Sequence, residues 1–157
     1  PLILDASGFL PISEKLIQID DLPINTILTP HYAEFANIFD ISIDSVYKNP
    51  ISIVKSIIPN LQGRILILKG PTTIIVTSKG DMLLMTHGNS ILATAGSGDV
   101  LAGILSSLIS QGMDYDQSAI CGTYFHAECG VRYENKIGKR GMLASDMVNM
   151  IPYAMQK

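Results

Sequence analysis

The sequence predicts an α/β fold with a mainly parallel sheet flanked by helices, and three observations support this class. Short β-branched apolar runs alternate with segments of helical spacing in the first half of the chain, a hairpin pattern follows, and helical spacing prevails after Gly88. Strands that alternate with crossover helices pair in parallel, because the chain returns to the same end of the sheet before each new strand. No internal repeat, low-complexity tract or linker interrupts residues 1–157, so we interpret them as a single domain.

Apolar periodicity and turn residues place each element along the chain. A proline ends the second apolar run, and Pro50 disturbs the helix expected over 42–61. Gly80 lies in the turn of the hairpin, and glycine-containing loops separate the last three helices. The predicted strands are 2–4, 26–30, 64–70, 73–77 and 82–85, and the predicted helices are 11–19, 31–39, 42–61, 98–111, 116–134 and 144–155.

Composition narrows the class of protein. With 47% hydrophobic and 16% charged residues the chain is typical of a compact globular protein, and a net charge of -3 without a run of Lys or Arg argues against a nucleic-acid or membrane partner. The uncharged stretch 100–113 is shorter than the roughly 20 apolar residues that span a bilayer.

Cys121 and Cys129 would lie about 12 Å apart on one helix, beyond disulfide reach. We therefore expect a cytoplasmic location and, because Pro1 leads directly into an apolar run, a fragment of a longer protein.

The segment 93–99, Ala-Thr-Ala-Gly-Ser-Gly-Asp, runs directly into a predicted helix. Gly96 and Gly98 allow positive φ and a close backbone approach, so that successive N–H groups can converge on an anion. The start of a helix adds unpaired N–H groups and a partial positive charge, which suit a phosphate or an oxyanion. Asp99 in the first turn is then a candidate base. The alternative is a simple helix cap, but the following helix is apolar on one side and small and uncharged on the other, which predicts burial between layers.

Residues 88–104, Gly-Asn-Ser-Ile-Leu-Ala-Thr-Ala-Gly-Ser-Gly-Asp-Val-Leu-Ala-Gly-Ile, resemble the signature of the NAD(P)H-hydrate dehydratases within the ribokinase-like superfamily. Further segments agree in the same order along essentially the whole chain: 5–8 (Asp-Ala-Ser-Gly), 28–31 (Leu-Thr-Pro-His), 34–35 (Glu-Phe), 68–70 (Leu-Lys-Gly), 122–126 (Gly-Thr-Tyr-Phe-His) and 144–146 (Ala-Ser-Asp). The resemblance implies a ribokinase-like fold whose N-terminal portion is missing from this chain. It also implies ADP- or ATP-dependent repair of hydrated NADH and NADPH.

The resemblance implies a role for particular residues. Asp99 would be the catalytic carboxylate and would contact the hydrated nicotinamide, as would His31. Glu34 lies one helical turn after His31, a position that suits either a contact to the same substrate or a solvated helix carboxylate. ADP or ATP would phosphorylate the added hydroxyl, and the phosphate would then leave and restore the double bond. Mg²⁺ would bridge the phosphates, and no residue is assigned as a metal ligand. The residues expected to bind the nucleotide are Lys69, Gly70, Pro71, Thr72, Thr73, Asn89, Gly96, Ser97 and Gly98.

Several polar residues have plainer interpretations from their positions alone. His31 follows a proline at a strand-to-helix turn, which is typical of a cap as well as of a ligand contact. Lys69 and Asp5 each end a strand, where a ligand contact and a local role are both reasonable, and Asp5 is the weaker candidate. We expect His126 to be a structural hydrogen-bonding residue, 145–146 to be the N-cap of the last helix, and the methionines to fill the core.

The sequence departs from the family pattern at two places. Tyr32 and Ala33 stand where the family usually has Pro-Gly, and residues 90–92 replace the usual Pro-Gly-Met. Two other functions stay open: a small-molecule kinase of the same superfamily that phosphorylates a hydroxymethyl group with Asp99 as base, and a non-catalytic nucleotide-binding module. We also expect a homo-oligomer.

Overall fold

The computed structural model describes residues 1–156, which divide into two compact units, Pro1–Leu84 and the chain from Met85 onward. The first unit holds nearly all of the sheet, and the second consists mainly of helices. The single domain expected from the sequence stays a prediction. Within the described residues, every helix is too short or too polar to cross a membrane.

The sheet has five strands in the order of the sequence. The first three pair in parallel and the third pairs antiparallel with the fourth, so that Ile27 lies between Ile3 and Ile65. This arrangement confirms the mainly parallel α/β fold, and the central strands are buried on both faces because their sequences are continuously apolar. The strands are β1 (Ile3–Leu4), β2 (Ile27–Leu28), β3 (Ile65–Leu68), β4 (Thr73–Val76) and β5 (Met82–Met85).

The predicted hairpin is present between β4 and β5. The Thr77 N–H donates to the Asp81 carbonyl at 2.9 Å, and the Gly80 N–H donates to the Thr77 carbonyl at 3.0 Å. Gly80 has a φ of 85°, which a residue with a Cβ adopts only at a cost. The glycine of this turn is therefore required by its geometry.

Four helices of the first unit pack around the sheet: α1 (Leu10–Ser13), α2 (Tyr32–Phe39), α3 (Ile43–Lys48) and α4 (Pro50–Leu61). The helix expected over 11–19 is wrong, because a 3₁₀ turn at Ala6–Phe9 leads into α1 and the chain leaves the helix before Lys15, whose φ is 59°. Pro50 divides the expected helix 42–61 in two by opening α4 at its first position. These helices and the sheet share one core that includes Leu28, Phe35, Val46, Val54, Ile57, Leu66 and Ile74.

The second unit contains three helices that match the predicted ones within two residues: α5 (Ser97–Ser110), α6 (Tyr115–Lys136) and α7 (Ala144–Ala154). A Cβ on Gly122 would lie 2.7 Å from the Leu105 side chain, so this glycine lets α5 and α6 approach closely. Met147 and Met150 are buried between α6 and α7, as expected of core residues.

Two local expectations in the second unit are wrong. Only one side of α5 is buried, since Gly103 and Ser106 on the small uncharged side are exposed, so this helix is not enclosed between layers. The N-cap of α7 is Leu143, and Asp146 lies in the first turn, where its carboxylate accepts a hydrogen bond from the Leu143 N–H at 2.9 Å. The carboxylate thus satisfies a backbone donor at this end without being the cap residue itself.

Candidate functional site

A polar cluster forms where the three parallel strands end, which we call the strand-edge cluster: Asp5, Thr29 and Lys69. Asp5 follows β1, Thr29 follows β2 and Lys69 follows β3. The Asp5 carboxylate accepts one hydrogen bond from the Thr29 hydroxyl at 2.8 Å and one from the Lys69 ammonium at 2.6 Å. Carboxyl ends of adjacent parallel strands form the usual ligand edge of an open α/β sheet. The structure therefore places Lys69 at such an edge, with Asp5 compensating its charge.

The Lys69 ammonium is held in place but still reachable. Its side chain is 26% exposed and that of Asp5 is 16% exposed. An ammonium has three N–H donors, so that contacts to Asp5 leave it able to donate to another acceptor. Sequence reasoning rated Asp5 as a weak candidate and overlooked Thr29. The position of both residues directly after buried parallel strands is the signal that could have found them.

His31 and Glu34 form reciprocal hydrogen bonds at the start of α2. The His31 ring accepts a hydrogen bond at Nδ1 from the Glu34 N–H at 3.2 Å, and Glu34 accepts one from the His31 N–H at 2.8 Å. The ring Nε2 also lies 3.3 Å from the second Glu34 oxygen, and the His31 side chain is 55% exposed. These contacts make a capping box. His31 therefore caps a helix and presents its imidazole to solvent at the same time.

Lys69 and His31 are neighbours across the ends of β3 and β2. An isolated parallel bridge joins the two residues, and the Lys69 N–H donates to the Pro30 carbonyl at 2.8 Å. Strand-edge residues that the sequence assigned to substrate and nucleotide are therefore adjacent within the first unit.

Gly70 is required by the packing of Tyr32. A Cβ at Gly70 would lie 2.5 Å from the Tyr32 ring, which no side chain of ordinary geometry allows. The Tyr32 ring is buried and contacts the Tyr47 ring edge to face, with centroids 5.2 Å apart. Burial raises the pKa of the Tyr32 hydroxyl, and Tyr47 raises it further. The departure from the family pattern at Tyr32 thus adds an aromatic ring against the segment that begins at Lys69.

The next three residues expected to bind nucleotide form the connection to β4. Pro71 is exposed, Thr72 is half-buried and Thr73 begins the strand. Their binding role stays a prediction.

In the second unit, the glycine-rich segment turns sharply into α5. Gly96 is the N-cap with a φ of 82°, and a Cβ there would lie 3.0 Å from that of Ala144. Gly98 is the second residue of the helix and has helical backbone, so the positive φ expected there is wrong. Positive φ at Gly96 alone makes the turn.

In the first turn of α5, the N–H groups of Ser97 and Val100 are hydrogen-bonded and those of Gly98 and Asp99 point out of the start of the helix. The Ser97 N–H donates to the Thr94 carbonyl at 3.2 Å, and the Val100 N–H donates to the Gly96 carbonyl at 3.2 Å. The N–H groups of Gly98 and Asp99 belong to the orphan donors that every helix start presents. The exposed Asp99 side chain lies beside them, with one carboxylate oxygen 3.9 Å from the position a Gly96 Cβ would take. Two backbone N–H groups that can donate hydrogen bonds to an anion are therefore adjacent to a carboxylate.

Ser97 and His126 connect this turn to α6. The His126 Nε2 lies 3.0 Å from the Ser97 hydroxyl and 3.0 Å from the Ser97 carbonyl oxygen. This contact confirms the hydrogen-bonding role expected of His126. Ser97 itself is only 8% exposed.

Asn89 is also tied to α6. Its amide nitrogen donates to the Gly130 carbonyl at 3.3 Å and to the Glu134 carboxylate at 2.5 Å, while its amide oxygen is buried without a hydrogen-bond partner among the described residues. The side chain fastens the segment before α5, and its nucleotide-binding role stays a prediction.

A charged cluster on α6 was not found from the sequence. The buried Glu128 carboxylate contacts the His87 Nε2 at 2.6 Å and the Arg132 Nε at 2.5 Å. Burial pushes the pKa of Glu128 up, but the hydrogen bonds and charges of His87 and Arg132 outweigh it, and the net pKa lies below the usual value. The spacing of Glu128 and Arg132, four residues apart on a helix, was the available signal.

Cys129 is not a candidate nucleophile. Cys121 and Cys129 are both free thiols, which confirms that no disulfide joins them. Burial, assisted by the charge of Glu128, raises the pKa of Cys129 to about 11. A thiol of this kind is protonated at neutral pH and does not attack an electrophile.

Comparison with known proteins gives a consistent result. The sequence profile of the NAD(P)H-hydrate dehydratase family matches residues 1–153. A bifunctional NAD(P)H-hydrate repair enzyme Nnr from Moorella thermoacetica is 31% identical over 99% of this chain, which spans 29% of that protein. The ADP-dependent (S)-NAD(P)H-hydrate dehydratase of Bacillus subtilis is 27% identical over 97% of this chain, which spans 53% of that protein.

Solved structures agree with the sequence comparison. The ADP/ATP-dependent NAD(P)H-hydrate dehydratase from Bacillus subtilis, co-crystallised with ATP/Mg²⁺ and soaked with CoA, superposes with a TM-score of 0.85 at 26% identity, covering 98% of this chain and 55% of that one. A ribokinase-like superfamily protein from Enterococcus faecalis gives a TM-score of 0.77 at 23% identity, covering 98% of this chain and 51% of that one. The second likeness confirms the ribokinase-like fold.

This chain thus spans about half the length or less of the relatives it matches. The family profile nevertheless extends over almost every residue, including the strand-edge cluster and the turn into α5. The chain therefore belongs to the NAD(P)H-hydrate dehydratase family.

Proposed function

We propose that this chain takes part in the ADP- or ATP-dependent dehydration of hydrated NADH and NADPH, which restores the reduced dinucleotide. The observation that carries the proposal is the turn into α5, where the N–H groups of Gly98 and Asp99 stand beside the Asp99 carboxylate. Family membership supplies the reaction, since relatives that match this chain are named as dehydratases of this substrate.

The turn into α5 is suited to hold a phosphate. A helix start carries a partial charge of roughly +0.5, and donors at Gly98 and Asp99 face the space before it. Gly96 in its left-handed conformation brings the backbone into this position. We assign Gly96, Ser97 and Gly98 to the phosphates of the nucleotide, with the helix start as the source of attraction.

Asp99 is assigned as the catalytic carboxylate. It would accept the proton of the added hydroxyl as that oxygen bonds to the terminal phosphorus, while the bond from phosphorus to the leaving nucleotide oxygen breaks. Departure of the phosphate with loss of a ring proton then restores the double bond. Mg²⁺ would neutralise the phosphate charge. Within the described part of the chain, no three His, Cys, Asp or Glu side chains lie close enough together to bind a metal. Mg²⁺ at phosphoryl-transfer sites is commonly held by substrate phosphates and water with only one or two carboxylates.

The first unit is assigned substrate and nucleotide contacts of its own. The exposed imidazole of His31, oriented by Glu34, suits a polar contact to the hydrated nicotinamide. Lys69 retains donors for a phosphate or ribose oxygen, and the segment 70–73 continues the same edge. Asn89 completes the proposed nucleotide-binding set. A cytoplasmic location and a homo-oligomer are further parts of this proposal, which cell fractionation and light scattering would test.

The proposal is tested by turnover of hydrated NADH with and without nucleotide. Purified full chain with Mg²⁺ and either ADP or ATP should regenerate NADH, measured by its absorbance, and omission of nucleotide should stop the reaction. Equal turnover without nucleotide would reject the proposal. A stable phosphorylated product in place of NADH would instead select a small-molecule kinase.

A further inference from the structure

His126 contacts the one residue that joins the Gly96 turn to α5. Its ring nitrogen Nε2 lies 3.0 Å from both oxygen atoms of Ser97, the side-chain hydroxyl and the main-chain carbonyl. Ser97 is 8% exposed, and it directly precedes the two open donors of the first turn. A single imidazole on α6 therefore fixes both the backbone and the side chain at the start of α5.

The roles of the two groups in this contact depend on which ring nitrogen of His126 carries the proton. A carbonyl oxygen only accepts hydrogen bonds, so the contact to the Ser97 carbonyl is a hydrogen bond when Nε2 carries the proton. The Ser97 hydroxyl then faces an N–H and accepts there too, which directs its own hydrogen away from the ring.

The geometry of the turn shows why such a contact is needed. Gly96 adopts a φ of 82°, a conformation in which glycine is entropically costly to hold, and a Cβ there would lie 3.0 Å from the Cβ of Ala144. The Ser97 N–H and the Val100 N–H make the two backbone bonds that close the turn, both at 3.2 Å. These bonds are longer than the usual 2.9–3.0 Å, so the side-chain contact from α6 adds an independent restraint.

We propose that His126 is a positioning residue that holds the turn into α5 in the conformation able to bind a phosphate. The assignment of the ligand rests on the proposed function, whereas the restraint on the turn does not. His126 would not touch the reacting atoms, and its loss would weaken nucleotide binding without removing the catalytic carboxylate.

The restraint is measured by amide hydrogen exchange in the full chain without any nucleotide. His126→Leu should speed exchange of the Ser97 and Val100 amides about tenfold, the effect of losing roughly one hydrogen bond. His126→Gln retains an N–H donor and should restore most of the protection. Ser97→Ala removes only the hydroxyl contact and should have a smaller effect, because the Ser97 carbonyl still accepts from His126.

The matched control is His87→Leu. His87 is a histidine of the same unit with a short bond to Glu128, so its loss should speed exchange across the unit through lower stability and not selectively at the Ser97 and Val100 amides. Equal exchange in His126→Leu and the unsubstituted chain would overturn the proposal. So would equally fast exchange in the Leu and Gln variants, since the ring shape and not the N–H would then matter. If the Leu variant does not fold, the Gln and Ser97→Ala variants still give the comparison.

Nucleotide binding gives the second readout. For ADP or ATP with Mg²⁺, His126→Leu should raise the KM of the nucleotide about tenfold and leave kcat within about twofold, with recovery in the Gln variant. A loss confined to kcat would contradict positioning. The exchange measurement needs no nucleotide. A chain without dehydratase activity would therefore contradict the proposed function, and the exchange rates would still test the role of His126.

Discussion

At the scale of single residues, the backbone of Gly96 controls the candidate phosphate site. Its positive φ turns the chain so that the helix start of α5 is open, and Ala144 occupies the space beside its α-carbon. Gly98, equally prominent in the sequence, has ordinary helical backbone. A glycine pair in a sequence therefore does not tell which member makes the turn, because this depends on where the helix begins.

Gly96→Ala should lower the free energy of unfolding by about 1–2 kcal/mol, because the left-handed conformation costs a residue with a Cβ this much. The close contact of the new methyl group with Ala144 should lower it further. The affinity for the nucleotide should also fall, because the N–H donors of Gly98 and Asp99 would move. Urea denaturation measures the first effect and titration with ADP the second.

Gly103→Ala in the same helix is the matched control for Gly96→Ala. Gly103 lies in the interior of α5 with nothing within 4 Å of the added methyl. It should raise the free energy of unfolding by roughly 0.5–1 kcal/mol, the gain from removing a helix-interior glycine. If both alanines had the same effect, the left-handed turn would not be the feature that matters at Gly96.

At the scale of elements, the start of α2 combines a helix cap with a proposed ligand contact, and the two roles can be separated. His31→Asn keeps an acceptor at the N-cap, where Asn is a preferred residue, but removes the imidazole. Stability should change by less than about 0.5 kcal/mol, whereas turnover of hydrated NADH should fall about tenfold or more. Thermal denaturation and steady-state kinetics measure the two.

Glu34→Gln is the control for this separation, because glutamine also closes a capping box. It should retain stability and show how much of the effect comes from the carboxylate beside the ring. Full activity in His31→Asn would reject the substrate contact and leave His31 a cap only.

The charged cluster on α6 predicts a dependence of stability on pH. The pKa of Glu128 in the folded chain lies below its ordinary value, so its ionised form stabilises the fold at neutral pH. That contribution is fully present above the ordinary pKa of glutamate and is lost as the pH falls through the lowered value. Glu128→Gln should cost on the order of 1–3 kcal/mol at neutral pH.

The same variant should lose its disadvantage in acid. Denaturation of both chains across a series of pH values should show their difference narrowing as Glu128 in the unsubstituted chain becomes protonated. A difference that stayed constant to the acid limit would show that the carboxylate charge is not the source.

Helices and strands were predictable because apolar periodicity is local. The bounds of α5, α6 and α7 agree with the sequence within two residues, and β3 is evident as a continuous apolar run. The region after Asp5 was not predictable in the same way. Its residues have helical spacing, but the backbone of Lys15 turns left-handed there and ends α1, which no pattern of side chains indicates.

At the scale of the whole chain, the candidate site depends on contacts between residues far apart in sequence. Asp5 and Lys69 meet because β1, β2 and β3 are parallel neighbours, so the strand-edge cluster follows from topology and not from any local motif. Sequence reasoning identified Lys69 and, as a weaker candidate, Asp5, but not the ion pair between them. The contact between His126 and Ser97 was equally out of reach, since it needs the register of α6 against α5.

Nucleotide binding should stabilise the chain as a whole, and this gives a way to separate binding from chemistry at Asp99. A ligand at about a hundred times its Kd raises the free energy of unfolding by about 2.7 kcal/mol. ADP or ATP with Mg²⁺ should therefore raise Tm in the unsubstituted chain. Asp99→Asn should keep this rise, because the backbone donors of Gly98 and Asp99 remain, while turnover should fall at least about a hundredfold with the loss of the base.

The control is Asp44→Asn, which changes an exposed aspartate in the first turn of α3 and should alter neither quantity. Differential scanning fluorimetry with nucleotide gives the shift in Tm, and NADH absorbance gives turnover. If Asp99→Asn lost the nucleotide-dependent rise together with activity, Asp99 would be acting in binding. If it kept both, the carboxylate would have no part in the reaction, and the turn into α5 would serve only to hold a phosphate.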